Sequence, residues 1–279
     1  MRWAIRHETR YRYSVPVVFS PHILRLNPPP DRDRLIAQSL VVDPTPANSF
    51  EDLDAFGNRC THLAFHSNPA QSLRIDSHFV VDTPEIVPPG NLEVPKLPWP
   101  VPADDLWGVY RKALDPSREL DRLAQSQASE AGYSALPFLD GLCQFLHTRI
   151  NGQIRLAGLA QLPSETLRIA RGACRDITVL FLDLCRRVGI AGRFVSGYQG
   201  LAETVDGRVH LHAWPEVLLP GIGWRGWDPM YGVRIGGSHI ALCAAPEQAA
   251  TMPVEGGLYF NGPEVNSTLE YDIQLQRVS

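Results

Sequence analysis

No stretch of this sequence approaches the roughly 18 consecutive apolar residues of a membrane-spanning helix, although apolar residues fill 44% of its 279 positions. The opening segment, Met1 to Tyr13, is broken by charge every few residues. It therefore lacks the apolar centre of a signal peptide, and a cytoplasmic location is the expectation. A basic excess is missing too. With a net charge of -4 the chain carries neither the positive footprint of a nucleic-acid binder nor a polybasic patch for an anionic membrane, so neither is expected as a partner. Cysteine is scarce: five residues (Cys60, Cys143, Cys174, Cys185 and Cys243), odd in number and irregularly spaced, do not form a disulfide framework. No Cys-x-x-Cys pair offers a structural zinc site. Reduced thiols are expected, at least one of them available for chemistry.

What is present suggests two domains, the default for this length. Residues 3–13 alternate charged with aromatic or apolar side chains, the pattern of a half-buried strand. Ile23–Leu26 and Leu40–Val42 are short β-type runs, and Asp54-Ala55-Phe56-Gly57-Asn58 is a turn with a strand through Leu63 and Phe65 after it. Leu73 to Val81 alternates again, with Leu73, Ile75, Ser77 and Phe79 on one face. Seven prolines between residues 84 and 102 (Pro84, Pro88, Pro89, Pro95, Pro98, Pro100 and Pro102) predict an extended linker. The division is accordingly placed there, with an N-terminal β domain over 1–95 and a second domain over 96–279. The second domain opens on helical signals over Ser117–Ala131 and Leu136–Ile150, then a short helix from Pro163 that Ser164 is expected to cap. Strands are expected over Arg193–Gln199, Val209–Leu218 and Trp224–Asp228. The class is α+β.

Ile177, Leu180, Phe181, Leu184 and Val188 form one apolar helical stripe, closed by Gly189 as a C′ glycine. Cys174 then stands at the helix start. Unpaired N–H groups there favour a thiolate over a thiol and can donate to an oxyanion. The small neighbours Gly172 and Ala173 are read as room for a substrate carbonyl. Cys143 and Cys185, each inside an apolar helical face, read as buried filler.

A nucleophilic cysteine needs an imidazole to hold the ion pair and to protonate the leaving group. Strand alternation places His210, His212 and Trp214 on one face, and spacing alone does not choose between the two histidines. A reversal at Pro220–Gly223 brings Asp228 beside that strand, where its carboxylate can fix the imidazole tautomer. Metal binding by the histidine pair lacks an evident third ligand. Trp214, Trp224 and Trp227 read as core more readily than as a cleft lining.

Cysteine, histidine and aspartate in this order, on a helix start and two strands, resemble the transglutaminase-like superfamily. Gly172-Ala173-Cys174-Arg175-Asp176 resembles its G-V-C-x-D box. Cys185–Ile190 followed by Arg193–Tyr198 is similar to its L-C-R-x-L-G-I-P-A-R-x-V-S-G-Y continuation. His212-Ala213-Trp214 matches H-A-W, and Trp227-Asp228-Pro229 the aromatic-D-P box. The resemblance selects His212 over His210. His7–Tyr13, His22–Leu26 and Asp54–Asn58 resemble the β domain that precedes the core in bacterial members. Ala173 for valine, Ala191-Gly192 for Pro-Ala and Met230 for threonine depart from the pattern without removing a catalytic side chain. Asp176 is read as a structural residue at the helix start.

The resemblance implies a papain-like core, with the cysteine-bearing helix packed on an antiparallel sheet, and a catalytic set of Cys174, His212 and Asp228. It implies acyl transfer to the thiol from a peptide or protein amide, resolved by water in a protease or amidase, or by an amine in a transglutaminase. Hydrolysis is favoured because bacterial two-domain members look more like thiol hydrolases. A non-catalytic peptide-binding module on the same fold is the reading from a different class. ATP-grasp-type ligases alongside such relatives would make a small peptide or modified protein the substrate. This chemistry needs no cofactor and no metal, and no acidic loop suggests calcium.

Overall fold

The computed structural model describes residues 1–30, 32–84, 94–100, 107–201, 204, 206–262 and 264–278. The first six strands are β1 (Arg2–Phe19), β2 (His22–Leu24), β3 (Arg34–Asp43), β4 (Asn48–Leu53), β5 (Arg59–Ala64) and β6 (Ala70–Asp82). Alternation along β1 has the expected result: Trp3, Ile5, His7 and Thr9 are buried. Their neighbours Arg6, Glu8 and Arg10 join Arg74 and Asp76 of β6 in a ladder of ion pairs on the other face. In β6 Leu73, Ile75, Ser77, Phe79 and Val81 are buried on one face, as its period of two requires, and Asp76 is buried within the ion pairs of the other.

Among the described residues five α-helices follow: α1 (Gly108–Arg111), α2 (Arg118–Glu130), α3 (Ala135–Arg149), α4 (Pro163–Ile169) and α5 (Cys174–Arg187). Two short strands, β7 (Asn151–Gly152) and β8 (Arg171–Gly172), pair in parallel between them. Ser164 does not cap α4. The helix begins one residue earlier, at Pro163, and the Ser164 N–H donates to Asp115 Oδ2 at 2.9 Å. Among the described residues no helix is long and apolar enough to cross a membrane.

An antiparallel sheet supports α5: β9 (Gly192–Gln199), β10 (His212–Leu219), β11 (Gly223–Asp228), β12 (Val233–Arg234) and β13 (His239–Ala245), in the order β12-β11-β10-β9-β13. Ile177, Leu180, Phe181, Leu184 and Val188 are buried in one cluster with Leu120 of α2, Leu139 and Leu142 of α3, and Val217, Leu219 and Trp227 of the sheet. Val179 and Leu182 of α5 pack on Phe194 and Ala213, so the predicted stripe is buried between the helices and the sheet. At the far end of α5, Gly189 takes φ +82°, and a Cβ there would lie 2.2 Å from the Trp99 carbonyl oxygen. That contact belongs to a strap. Over residues 94–100 the proline-rich stretch is irregular, but Leu97 and Trp99 are buried and the Trp99 N–H donates to Val188 O at 3.0 Å. Its described part is therefore packed rather than free. Pro88, Pro89 and Pro102 lie outside the described residues.

The chain then returns to where it began. β14 (Val254–Glu255) pairs with β2, β15 (Leu258–Tyr259) with the end of β1, and β16 (Ser267–Val278) with β1 from Tyr13 back to Arg2. Much of the segment after residue 254 is thus built into the first sheets, although a division at residue 95 assigns it to the second domain. The two parts also share a core in which Trp3, Ile75 and Phe79 pack with Tyr198, Ile240 and Leu242. Asn58, from the predicted turn, docks like a piece of strand: its side chain donates to Ala244 O at 3.0 Å and accepts from Ala244 N at 2.7 Å.

Charge ties the parts together as well. Glu216 on β10 is buried between Arg193, at 2.8 Å, and Arg32 from the N-terminal part. Burial alone would raise its carboxyl, but the two guanidinium groups outweigh that and hold it down at about 2, against an ordinary 4.5. A depressed folded-state pKa stabilises above the unfolded value and loses that contribution as pH falls through the folded one. Glu216→Gln is expected to cost about 3 kcal/mol at neutral pH, because it leaves two largely buried cations without their partner. The deficit should shrink as pH falls from 4.5 towards 2, where wild type loses the same charge. Urea unfolding of both proteins across that range measures it, and a deficit that does not change with pH would refute the assignment.

Candidate active site

Cys174 is the first residue of α5. Two residues on, the buried Asp176 accepts the Ala173 N–H at 2.7 Å through Oδ2. Its Oδ1 accepts the Gln161 N–H at 2.8 Å and Arg155 Nη2 at 2.5 Å. Arg175 reaches the same loop from the other side, donating to the carbonyls of Arg155 and Ala157, each at 2.6 Å. Asp176 is thus the structural residue expected, a carboxylate that caps the helix start and pins the 153–161 loop to it. Gly172 has a different purpose from the one read in the sequence. It is buried, and a Cβ there would come within 2.9 Å of Asp176 Cβ and 3.2 Å of Thr166 Cγ2. Its smallness admits Asp176 rather than a substrate carbonyl.

His212 opens β10 and Asp228 ends β11, so the hairpin delivers both to one place. His212 Nε2 lies 2.7 Å from Asp228 Oδ2, which leaves its Nδ1 edge for the hydrogen-bonded contact with Cys174. Met230 N donates to the other carboxylate oxygen at 3.1 Å. Burial alone would raise the Cys174 thiol and lower the His212 imidazole. For Cys174 this is outweighed by the hydrogen bond and charge of His212, then by the Ala213 N–H and Arg175, and the thiol shifts down. For His212 it is outweighed by the Asp228 charge and hydrogen bond, then by Cys174, and the imidazole shifts up. Both shifts favour a thiolate–imidazolium pair. The other four cysteines are buried, and burial pushes each of their thiols up, Cys143 to about 12. Cys174 alone is partly exposed with a depressed pKa.

His210 does not share the face of His212. β10 begins only at His212, and His210 lies before it with Nδ1 2.5 Å from the Tyr271 hydroxyl and Nε2 2.9 Å from Asp206. An additional histidine takes a place in the site. His239, the first residue of β13, puts its Nε2 3.0 Å from the same Asp228 Oδ2. Its only sequence signal is a histidine opening an apolar run after two glycines, which many buried strands share. His212, Asp228 and His239 form a buried group whose ligand atoms lie within 4.8 Å of one another. Both imidazoles already point at one carboxylate oxygen, so the cluster is satisfied by its own hydrogen bonds. Tyr231 also stands against His212, with ring centroids 5.4 Å apart. Trp214 and Trp227 are buried as core, while the half-buried Trp224 packs with Trp107, Tyr110 and the Arg193 guanidinium.

Two family models match in succession. The bacterial transglutaminase-like N-terminal region covers residues 3–82, and the transglutaminase-like superfamily covers residues 110–229. An uncharacterised protein of Mycobacterium tuberculosis is 27% identical over 297 residues, spanning 98% of this chain and 92% of its own. One of Mycobacterium leprae is 24% identical over 282 residues, spanning 91% and 92%. The crystal structure of a candidate cysteine protease from Cytophaga hutchinsonii superposes with a TM-score of 0.70 at 18% identity, covering all of this chain and 92% of that one. Its two-part fold is the same. With both regions in order and the Cys, His and Asp boxes brought to one point, the chain belongs to the transglutaminase-like superfamily, with the bacterial N-terminal region preceding its core.

Proposed function

We propose that this protein is a thiol-dependent acyl-transfer enzyme that hydrolyses an amide bond of a peptide or protein through a thioester on Cys174. The observation that carries this reading is His212 standing between the Cys174 thiol and the Asp228 carboxylate, with the thiol shifted down. The Cys174 thiolate attacks the carbonyl carbon, and the first N–H groups of α5 face the developing oxyanion. The His212 imidazolium passes its proton to the leaving amine as the C–N bond breaks, giving a thioester and a neutral imidazole. A water molecule then gives a proton to His212 and adds to the thioester, which releases a carboxylic acid and restores the thiolate–imidazolium pair. Asp228 holds the imidazole in place and offsets its positive charge throughout. The pinned 153–161 loop exposes Ile154, Leu156 and Leu159, which supports a peptide substrate with apolar residues. The Cytophaga hutchinsonii protein's description as a candidate cysteine protease agrees with hydrolysis.

The test is the pH dependence of iodoacetamide labelling at Cys174. Wild type is expected to react several pH units below the usual thiol pKa of about 8.5, and His212→Ala only near that value. Ordinary thiol behaviour in wild type would remove the basis for the reading.

A further inference from the structure

Asp228 Oδ2 is shared between two imidazoles, and the second of them is fixed from the far side of the molecule. Gly236 N points at His239 Nδ1 at 3.3 Å, so that nitrogen accepts. The proton of a neutral His239 must therefore sit on Nε2, where it is donated to Asp228 Oδ2 at 3.0 Å. His239 is 4% exposed, and its ring packs edge-on against Trp214, with centroids 5.3 Å apart. Burial keeps it neutral by lowering its pKa, more than Asp228 raises it. The turn from Gly236 to His239 closes on itself through His239 N to Gly236 O at 3.0 Å. Its middle is gripped by the N-terminal sheet. Gly237 O accepts the Trp3 indole N–H at 2.9 Å and the Thr83 hydroxyl at 2.6 Å. Ser238 O accepts the Gly200 N–H at 2.9 Å, and Gly200 itself lies under the Trp3 ring. A continuous path of hydrogen bonds thus runs from β1 and the end of β6, through the turn, to the carboxylate that holds His212.

We propose that His239 is a positioning residue that orients Asp228 towards His212, and that the N-terminal sheet, through Trp3 and Thr83, holds His239 in that role. The inference rests on the thiol-enzyme reading above and gives the N-terminal region a part in the chemistry. Asp228 has two acceptor oxygens. With Met230 N on one and two imidazole N–H groups on the other, its plane is set from three directions. Without His239 the carboxylate can turn, the imidazole follows it, and the contact with Cys174 loosens. The other titratable or charged groups that act on this cluster are Arg175 of α5, Cys143 of α3, Tyr231 after β11 and Arg32 of the N-terminal part, and none of them replaces the missing donor.

The experiment is the pH profile of Cys174 labelling by iodoacetamide in the full chain, with a melting temperature for each variant. His239→Ala and His239→Asn are expected to move the midpoint up by about one pH unit, roughly a tenfold loss of thiolate at a fixed acid pH. His239→Gln, whose amide nitrogen reaches the position of Nε2, should return the midpoint close to wild type. The double variant Trp3→Phe/Thr83→Val, which removes both donors from Gly237 O, should shift it in the same direction by a smaller amount. Coincident profiles for His239→Ala and wild type, with only a lower melting temperature, would show that His239 merely packs. A shift in His239→Ala without one in the Trp3/Thr83 variant would overturn the role of the sheet. An ordinary thiol profile in wild type would instead overturn the thiol-enzyme reading, and this inference with it.

Discussion

Cys174→Ala is expected to leave a folded protein that forms no acyl adduct. An activated ester such as p-nitrophenyl acetate should place one acetyl group on wild type, mapped to Cys174 by peptide mass spectrometry, and none on the variant. Amide turnover should fall by at least ~10^4-fold, because removing the nucleophile removes the covalent route itself and not a part of its stabilisation. Stability should change little. Cys174 is partly exposed at the helix start, and Asp176 rather than Cys174 caps the backbone there. The other four thiols provide an internal control. Each is buried with a raised pKa, so none can substitute at neutral pH. An adduct of the same yield on another residue in Cys174→Ala would refute the assignment.

The second large effect is expected from Asp228→Asn. Asp228 is fully buried and receives His212, His239 and the Met230 N–H. An amide of the same shape has one acceptor oxygen and no charge, so with that oxygen towards the two imidazoles its NH2 group meets the Met230 N–H donor to donor, and it cannot offset the imidazolium. Turnover should drop by ~10^2–10^4-fold, and low-pH labelling of Cys174 should be lost with it. Stability should fall by about 3 kcal/mol at neutral pH, since polar groups around the site lose a buried partner. The pH dependence has a defined sign. Asp228 is depressed well below its ordinary 3.8, so its contribution is present above that value and is lost only in strong acid. His212 is raised above its ordinary 6.5, so its contribution is complete below that value and fades as pH climbs through the folded-state pKa. The stability difference between wild type and Asp228→Asn should accordingly be greatest between about pH 4 and pH 6.5 and shrink on both sides. Guanidinium unfolding at a series of pH values measures it. A difference that grows steadily towards alkaline pH would contradict the ion pair.

Much of the architecture is local in origin and could be read along the chain. Alternation in β1 and β6 follows from the pleat, and the stripe on α5 from its 3.6-residue turn. Gly189 takes the left-handed conformation that its place after the helix predicts. Family resemblance was needed where two residues had equal local credentials, as His210 and His212 did. The structure separates them because β10 starts between them, and a strand start is set by pairing with β9 rather than by the residues on either side.

By itself, the sequence determined the main elements up to Asp228 (but none of the strands after that residue), the apolar faces they bury, and the order of Cys174, His212 and Asp228 along the chain. These depend on side chains within a few residues of one another, and periodicity records such relations. Only the tertiary structure decided which groups meet. It brought His239 to the carboxylate of Asp228, paired Arg32 with Glu216, turned His210 to Tyr271, and returned the last strand to the first. A single contact between residues distant in the chain leaves no repeating pattern in either segment. Its partner is chosen by the geometry of packed sheets, which exists only once the whole chain has folded.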